Sequence, residues 1–232
     1  LWENGLRVLL AAGVEAAAIA AAPRITDWEV RDVDGRTLMH RAFGAEDRLF
    51  IPVRAKVYDA LVERARSLEV EILTSSTAVA ARPEGVLLLD DGSERKADLV
   101  VAADGHRSRV RDSLGLTKTY RAKPEGCTRL LVRRDNEDPP TTAVEHWSGH
   151  RRILTCPSGP QETYVCLALP TADERGRAVP VDKQSWTESF PHMERLIERI
   201  GDSGRWDVLS YVALRSWSSI RSRLRIRIRR LP

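Results

Sequence analysis

Three Asp-Gly pairs occur in the chain, and one of them stands where chemistry is expected. Asp34-Gly35 and Asp91-Gly92 lie between alternating apolar and polar runs, the pattern of two-residue hairpin turns. Asp104-Gly105 instead follows the apolar run LVVAA and precedes a helical pattern from Ser108 to Leu114. That places it at the carboxyl end of a strand, where open α/β sheets bind ligands. Gly105 permits a tight turn or close backbone approach, and Asp104 offers an acceptor. Arg107, Arg109 and Arg111 add donors suited to phosphate or carboxylate. Elsewhere, His146 and His150 are four apart in a strand-and-turn context, without the glutamate of a helical metalloprotease motif, so no metal site is expected. Cys127, Cys156 and Cys166 are odd in number and lack C-x-x-C spacing, which argues against a disulfide framework and for a reducing compartment. There is no Gly-x-Ser-x-Gly elbow.

The elements that must position these residues follow from periodicity. Residues 3–22 read as one or two helices, broken at Gly13 and stopped by Pro23. ITDWEVRDVDGRTLMHRAF reads as a hairpin. From Arg54, Val57, Leu61, Ala65 and Leu68 recur at helical spacing, predicting an amphipathic helix. VEILT, TAVAARPEG and GVLLLDD read as strands, and LVVAA as a strand buried on both faces of a parallel sheet. Beyond about Tyr120, CTRLLVRR, AVEHW, RRILTCP and ETYVCLALP predict a mostly antiparallel sheet, followed by helices within 183–201 and a last strand, VLSYVALRSW.

With 42% hydrophobic and 30% charged residues, the 232-residue chain is globular in composition. Its net charge of +4 is owed to six arginines from Arg221 to Arg230, so the body carries no basic excess and no nucleic-acid role is expected. No run reaches the roughly 18 apolar residues of a membrane span, and the cytoplasm is the expected location.

ADLVVAADGHRSRVRDSLGL resembles the second signature of the class A FAD-dependent aromatic-ring monooxygenases, the family of para-hydroxybenzoate and salicylate hydroxylases. Asp104, Gly105, Ser108 and Arg111 match that pattern in order and spacing. IPVRAKVYDALVERA is similar to the family's arginine-led helix, and NGLRVLLAAGV to the helix after the flavin-entry region. The resemblance implies FAD as cofactor, NAD(P)H as transient reductant, and O2 with a small phenol or aromatic acid as substrates. It implies that Arg54 contacts the flavin, that the backbone at Val79 lies near the adenine end, and that Asp104 lies near the pyrophosphate. His146, Trp147 and Arg152 become candidates for facing the aromatic substrate. A flavin dehydrogenase, reductase or halogenase of the same fold is the alternative, and a degenerate product with at most a basic-tail binding role is the non-enzyme reading. A homodimer is one assembly this reading allows.

The expected architecture is a partial Rossmann-like FAD-binding α/β domain over 1–117 and a mixed, mostly antiparallel α+β substrate domain over 118–217. An Arg-rich tail over 218–232 reads as out of frame. The family's first signature, Gly-x-Gly-x-x-Gly, does not occur. SIRSRLRIRIRRLP stands where the third, a Gly-Asp segment, would begin. Weak or no FAD binding by the isolated chain is therefore expected.

Overall fold

The computed structural model describes residues 1–215. They form two compact units: residues 1–71 with 124–209, and residues 72–123 with 210–215. The sequence reading places one change of domain near residue 118, whereas the compact units exchange at 71/72, 123/124 and 209/210. The exchanges at 123/124 and 209/210 fall inside two long strands, each with residues in both units, and the one at 71/72 in irregular chain.

In the first unit, α1 (Glu3–Ala11) and α2 (Glu15–Ile19) are separated at Gly13, whose φ of 72° is accessible to glycine at little cost. Arg54 opens α3 (Arg54–Ser67). Its buried edge is Ala60 with Val57, packed on Leu9, Val14 and Ala18. Leu61 and Leu68, expected on that edge, are exposed. The helix is rotated from the expected face because α1 and α2 meet it on the Val57–Ala60 side.

A seven-stranded sheet follows the order β10-β6-β9-β8-β7-β1-β2. Its strands are β1 (Asp27–Arg31), β2 (Thr37–Ala42), β6 (Thr117–Arg133), β7 (Thr142–Ser148), β8 (Arg151–Pro157), β9 (Glu162–Pro170) and β10 (Arg205–Leu214). All the registered pairs are antiparallel except β1 with β7. One face is covered by α5 (Lys183–Ser189), a 3-10 turn (Pro191–Met193) and α6 (Glu194–Glu198). Leu130, Ile153, Val165 and Leu167 meet Trp186, Phe190 and Ile197 there, all buried. Part of the opposite face is covered by Ile25, Phe43, Leu49 and Ile51, which pack on Ala143, Leu154, Cys156 and Tyr164.

The second unit holds a three-stranded antiparallel sheet, β3 (Ala78–Arg82), β4 (Val86–Leu89) and β5 (Glu94–Lys96), with α4 (Arg109–Ser113). Ala81, Leu89 and Val110 are its buried apolar residues. The Ser113 hydroxyl accepts from the Ala81 amide at 3.0 Å.

The Asp-Gly hairpins are present, but with three-residue loops in place of the expected two. In both, the amide of the glycine donates to the residue before the loop at 3.1 Å, Gly35 to Asp32 and Gly92 to Leu89. Pro83-Glu84-Gly85 repeats the arrangement, with Gly85 donating to Arg82 at 3.1 Å. All three glycines have φ between 79° and 83°, as a turn closed by a left-handed residue requires.

Two expected strands are absent from the described residues. VEILT and LVVAA are irregular, and Leu99 and Val101 are 76% and 74% exposed. A parallel strand exists only with neighbours that take its backbone hydrogen bonds, and no described strand lies beside either segment. No described helix is long and apolar enough to cross a membrane. The Arg-rich tail falls outside the described residues.

Candidate functional site

The Asp104 turn is built in the second unit. Ser108 caps α4: its hydroxyl accepts from the Arg111 amide at 3.0 Å and donates to the Asp104 carboxylate. Ser108 is 1% exposed, so the hydroxyl is committed to this turn. The Ser108 hydrogen bond, first among the causes, holds the Asp104 carboxyl below the usual carboxylate range. Asp104 therefore stands as an exposed, ionised acceptor at neutral pH. Gly105 has a φ of 93° with open space where a side chain would stand, leaving its backbone open to close approach.

Arg111 spends its donors inside the turn. Its guanidinium reaches the carbonyls of Gly105 at 3.1 Å and His106 at 2.9 Å, and the Thr117 hydroxyl at 2.9 Å. The sequence reading offered Arg111 to a phosphate or carboxylate. In the structure its contacts brace the loop carrying Asp104. Arg54, the first residue of α3, is exposed in the first unit, and Val79 is half-buried on β3 in the second.

The three substrate candidates do not share a face. His146 is buried on the helix-covered side, where its Nδ1 lies 2.9 Å from Nε2 of His192. Burial first, then His192 and Arg31, lower its pKa to about 4, so this imidazole is neutral at pH 7. A pocket of about 300 Å³ adjoins the pair, and Asp138 and Arg199, which line it, are paired with each other at 2.7 Å. Trp147 is the next residue of β7 and points the other way, 46% exposed. Arg152 lies opposite Trp147 on β8, its guanidinium 5.7 Å from the indole centroid.

The face opposite the helices continues across the sheet, open at Trp147 and Arg152 and covered at Leu154, Cys156 and Tyr164. Trp147 is opposite Arg152, Arg152 opposite Ala168, and Ala168 opposite Cys127. The next row on that face is Glu145, Leu154, Cys166 and Arg129. The third includes Cys156, Tyr164 and Leu131. Burial holds the Tyr164 phenol up and pushes the Cys156 thiol up to about 12. Cys127 is lowered to about 7, first by its hydrogen bond with Cys166 and then by Arg129, while Cys166 is raised. Sequence reading missed Tyr164, Cys166 and Arg129 as members of this face. Alternation in ETYVCLALP and CTRLLVRR groups them by side, but the side left open depends on where the later helices pack.

Residues 3–215 match the family described as FAD binding domain. The chain belongs to that family. A probable 2-heptyl-3-hydroxy-4(1H)-quinolone synthase of Rhodococcus erythropolis is 32% identical over 94% of this chain and 59% of its own length. The 2-heptyl-3-hydroxy-4(1H)-quinolone synthase of Mycobacteroides abscessus is 30% identical over 94% and 60%. Among solved structures, the tetrameric form of 2-methyl-3-hydroxypyridine-5-carboxylic acid oxygenase is similar at 34% identity with a TM-score of 0.86, over 94% of this chain and 60% of that one. Klebsiella pneumoniae HpxO, in complex with FAD and uric acid, has a TM-score of 0.70 at 16% identity over 91% and 58%, a likeness of fold. The chain thus spans about three-fifths of the length of these relatives. The resemblance to class A FAD-dependent aromatic monooxygenases stands, as do FAD as the family's cofactor and the mixed α/β architecture. The Asp104 turn suits such a cofactor: an ionised acceptor beside an uncovered glycine backbone admits a polar, extended ligand.

Proposed function

We propose that the protein containing this chain hydroxylates a small aromatic nitrogen heterocycle, using FAD, O2 and a reduced nicotinamide cofactor. The observation that carries the reading is the family match across residues 3–215, joined to relatives whose names specify quinolone and hydroxypyridine rings. The balance is one oxygen atom from O2 into a ring C–H bond and the other into water, with the nicotinamide cofactor supplying the hydride. When bound, FAD supplies the redox chemistry. Asp104 and the Gly105 backbone are assigned to hold it in the second unit, and the Val79 backbone of the same unit is the further candidate.

The protein's task toward the substrate is placement and exclusion of water. Trp147 offers an aromatic surface for the ring, and Arg152 a guanidinium for an oxo or hydroxyl oxygen on it. Arg152 is suited to this because Glu125 and Glu145 meet it only at 3.9 Å, too far for a hydrogen bond. His146, on the opposite face, is given no part.

In the FAD-loaded protein, R152Q should raise KM for a hydroxypyridine substrate about tenfold, the worth of one charge-assisted hydrogen bond, while the uncoupled oxidation of NADH without substrate is unchanged. Steady-state NADH consumption against substrate concentration measures both. An unaltered KM would remove Arg152 from the site.

A further inference from the structure

Two of the three cysteines meet. Cys127 on β6 and Cys166 on β9 lie on one face of an antiparallel pair, two residues out of register: Cys127 is opposite Ala168, and Cys166 is opposite Arg129. Both are free, and their thiols are hydrogen-bonded to each other. Diagonal neighbours of this kind stand near the outer limit of the Cα separation that a disulfide spans. Thiols already in contact bring the remaining approach within side-chain rotation and a small adjustment of the strands. A bond closed at that limit is strained, and so is readily reduced again. Cys127 is 3% exposed and Cys166 half-buried, which leaves the pair open to a small solute on the Cys166 side.

The surroundings give the two sulfurs different tasks. Arg129 is two residues from Cys127 along β6 and directly opposite Cys166. The other polar groups around the pair are Glu125 on β6, Tyr164 on β9, Arg152 on β8 and Asp207 on β10. The hydrogen bond from Cys166, and then Arg129, lower the Cys127 thiol to about 7, with Asp207 opposing. Cys166 keeps its proton, held first by its bond to Cys127 and then by burial. Near neutral pH a thiolate therefore rests against a thiol, the nucleophile beside its resolving partner. Cys156 makes the contrast. It lies at the same offset from Cys166 on β8, but burial pushes its thiol up to about 12, where it stays protonated.

We propose that Cys127 and Cys166, beside Arg129, are a reversible oxidation site at which hydrogen peroxide closes a disulfide between β6 and β9. The Cys127 thiolate attacks one peroxide oxygen, the O–O bond breaks, and a sulfenic acid and hydroxide result; the hydroxide takes up the proton that Cys127 had lost. The Cys166 sulfur then displaces the sulfenic hydroxyl, which leaves with the Cys166 proton as water. Two thiols and one peroxide become one disulfide and two waters, the sulfurs oxidised and the peroxide reduced. Closing the bond removes the negative charge beside Arg129 and joins the two strands covalently.

The test is titration of the full chain with hydrogen peroxide near neutral pH, followed by tandem mass spectrometry of the non-reduced digest. A Cys127–Cys166 link is expected, cleaved by dithiothreitol, with Cys156 still open to alkylation. C156S should form the link at the wild-type rate. The rate of thiol loss should rise with pH through a midpoint near 7, and R129Q should move that midpoint upward with its far-UV circular dichroism unchanged. Cysteines that pass singly to sulfinic acid, a link through Cys156 or between two chains, thiols that resist peroxide, or a midpoint that R129Q leaves in place would each overturn the proposal. Because the peroxide is added, none of these outcomes depends on the flavin reading.

Discussion

Replacing Trp186 by alanine lowers the stability of the first unit by about 3–5 kcal/mol, the range for emptying a fully buried large aromatic position. Trp186 is 0% exposed and lies in the cluster that joins the sheet to α5 and α6. The loss has three parts that the geometry separates. The indole fills space against Phe190, whose ring is 6.0 Å away and nearly parallel. Its Nε1–H donates to the Gly176 carbonyl at 3.0 Å, so truncation leaves that carbonyl without this partner. The Arg151 guanidinium lies 5.1 Å from the ring centroid and loses the surface beneath it. W186F keeps most of the volume but neither the donor nor the full ring, and should cost clearly less. Urea unfolding of wild type, W186F and W186A, followed by far-UV circular dichroism, gives the three values. Equal losses for the two variants would show that packing volume is not the dominant part.

Gly85→Ala should cost the second unit about 3 kcal/mol, combining the left-handed backbone penalty with overpacking. The matching change at Gly92 should cost only about 1 kcal/mol, the backbone penalty alone. The two glycines have the same loop position and nearly the same φ, 82° and 83°. They differ in what a methyl group would meet. At Gly92 nothing lies within 4 Å, whereas at Gly85 a Cβ would stand 2.0 Å from the Ala97 carbonyl oxygen. That oxygen belongs to backbone already tied to the loop, since the Ala97 amide donates to the Gly85 carbonyl at 2.8 Å. The clash is relieved only by moving the end of β5 off β4. Hydrogen exchange of the amides in β3, β4 and β5 reads the effect locally. Similar exchange in G85A and G92A would mean that backbone conformation, not crowding, governs the loop.

Local chemistry was legible where the chain decides its own conformation. Gly35 and Gly92 announce hairpins, Gly13 and Pro23 bound the first helices, and Ser108 three residues ahead of Arg111 marks a cap. What failed needed a partner from elsewhere. LVVAA has the composition of a buried strand, yet becomes one only beside another strand, and none of the described strands supplies that neighbour. The helix from Arg54 showed its apolar residues, but α1 and α2 decide that Ala60 rather than Leu61 is buried. The candidate site divides in the same way. Alternation along β7 separates His146 from Trp147 in the sequence itself. Only the packing of α5 and α6 assigns His146 to the closed face and Trp147 to the open one. Arg129 and Asp207 meet across strands far apart in sequence, a pairing without a local signal. Arg111 matches the family signature in position, and in the structure its guanidinium shapes the turn.

The most direct test of the account is the origin of the oxygen in the product. The FAD-loaded protein, given NADH, a hydroxypyridine carboxylate and ¹⁸O2 in ordinary water, should yield a product carrying one ¹⁸O atom as a hydroxyl on a ring carbon, read by mass spectrometry. NADH oxidised without a labelled product, or a product oxygen drawn from water, would contradict it and favour a flavin dehydrogenase or reductase on the same fold.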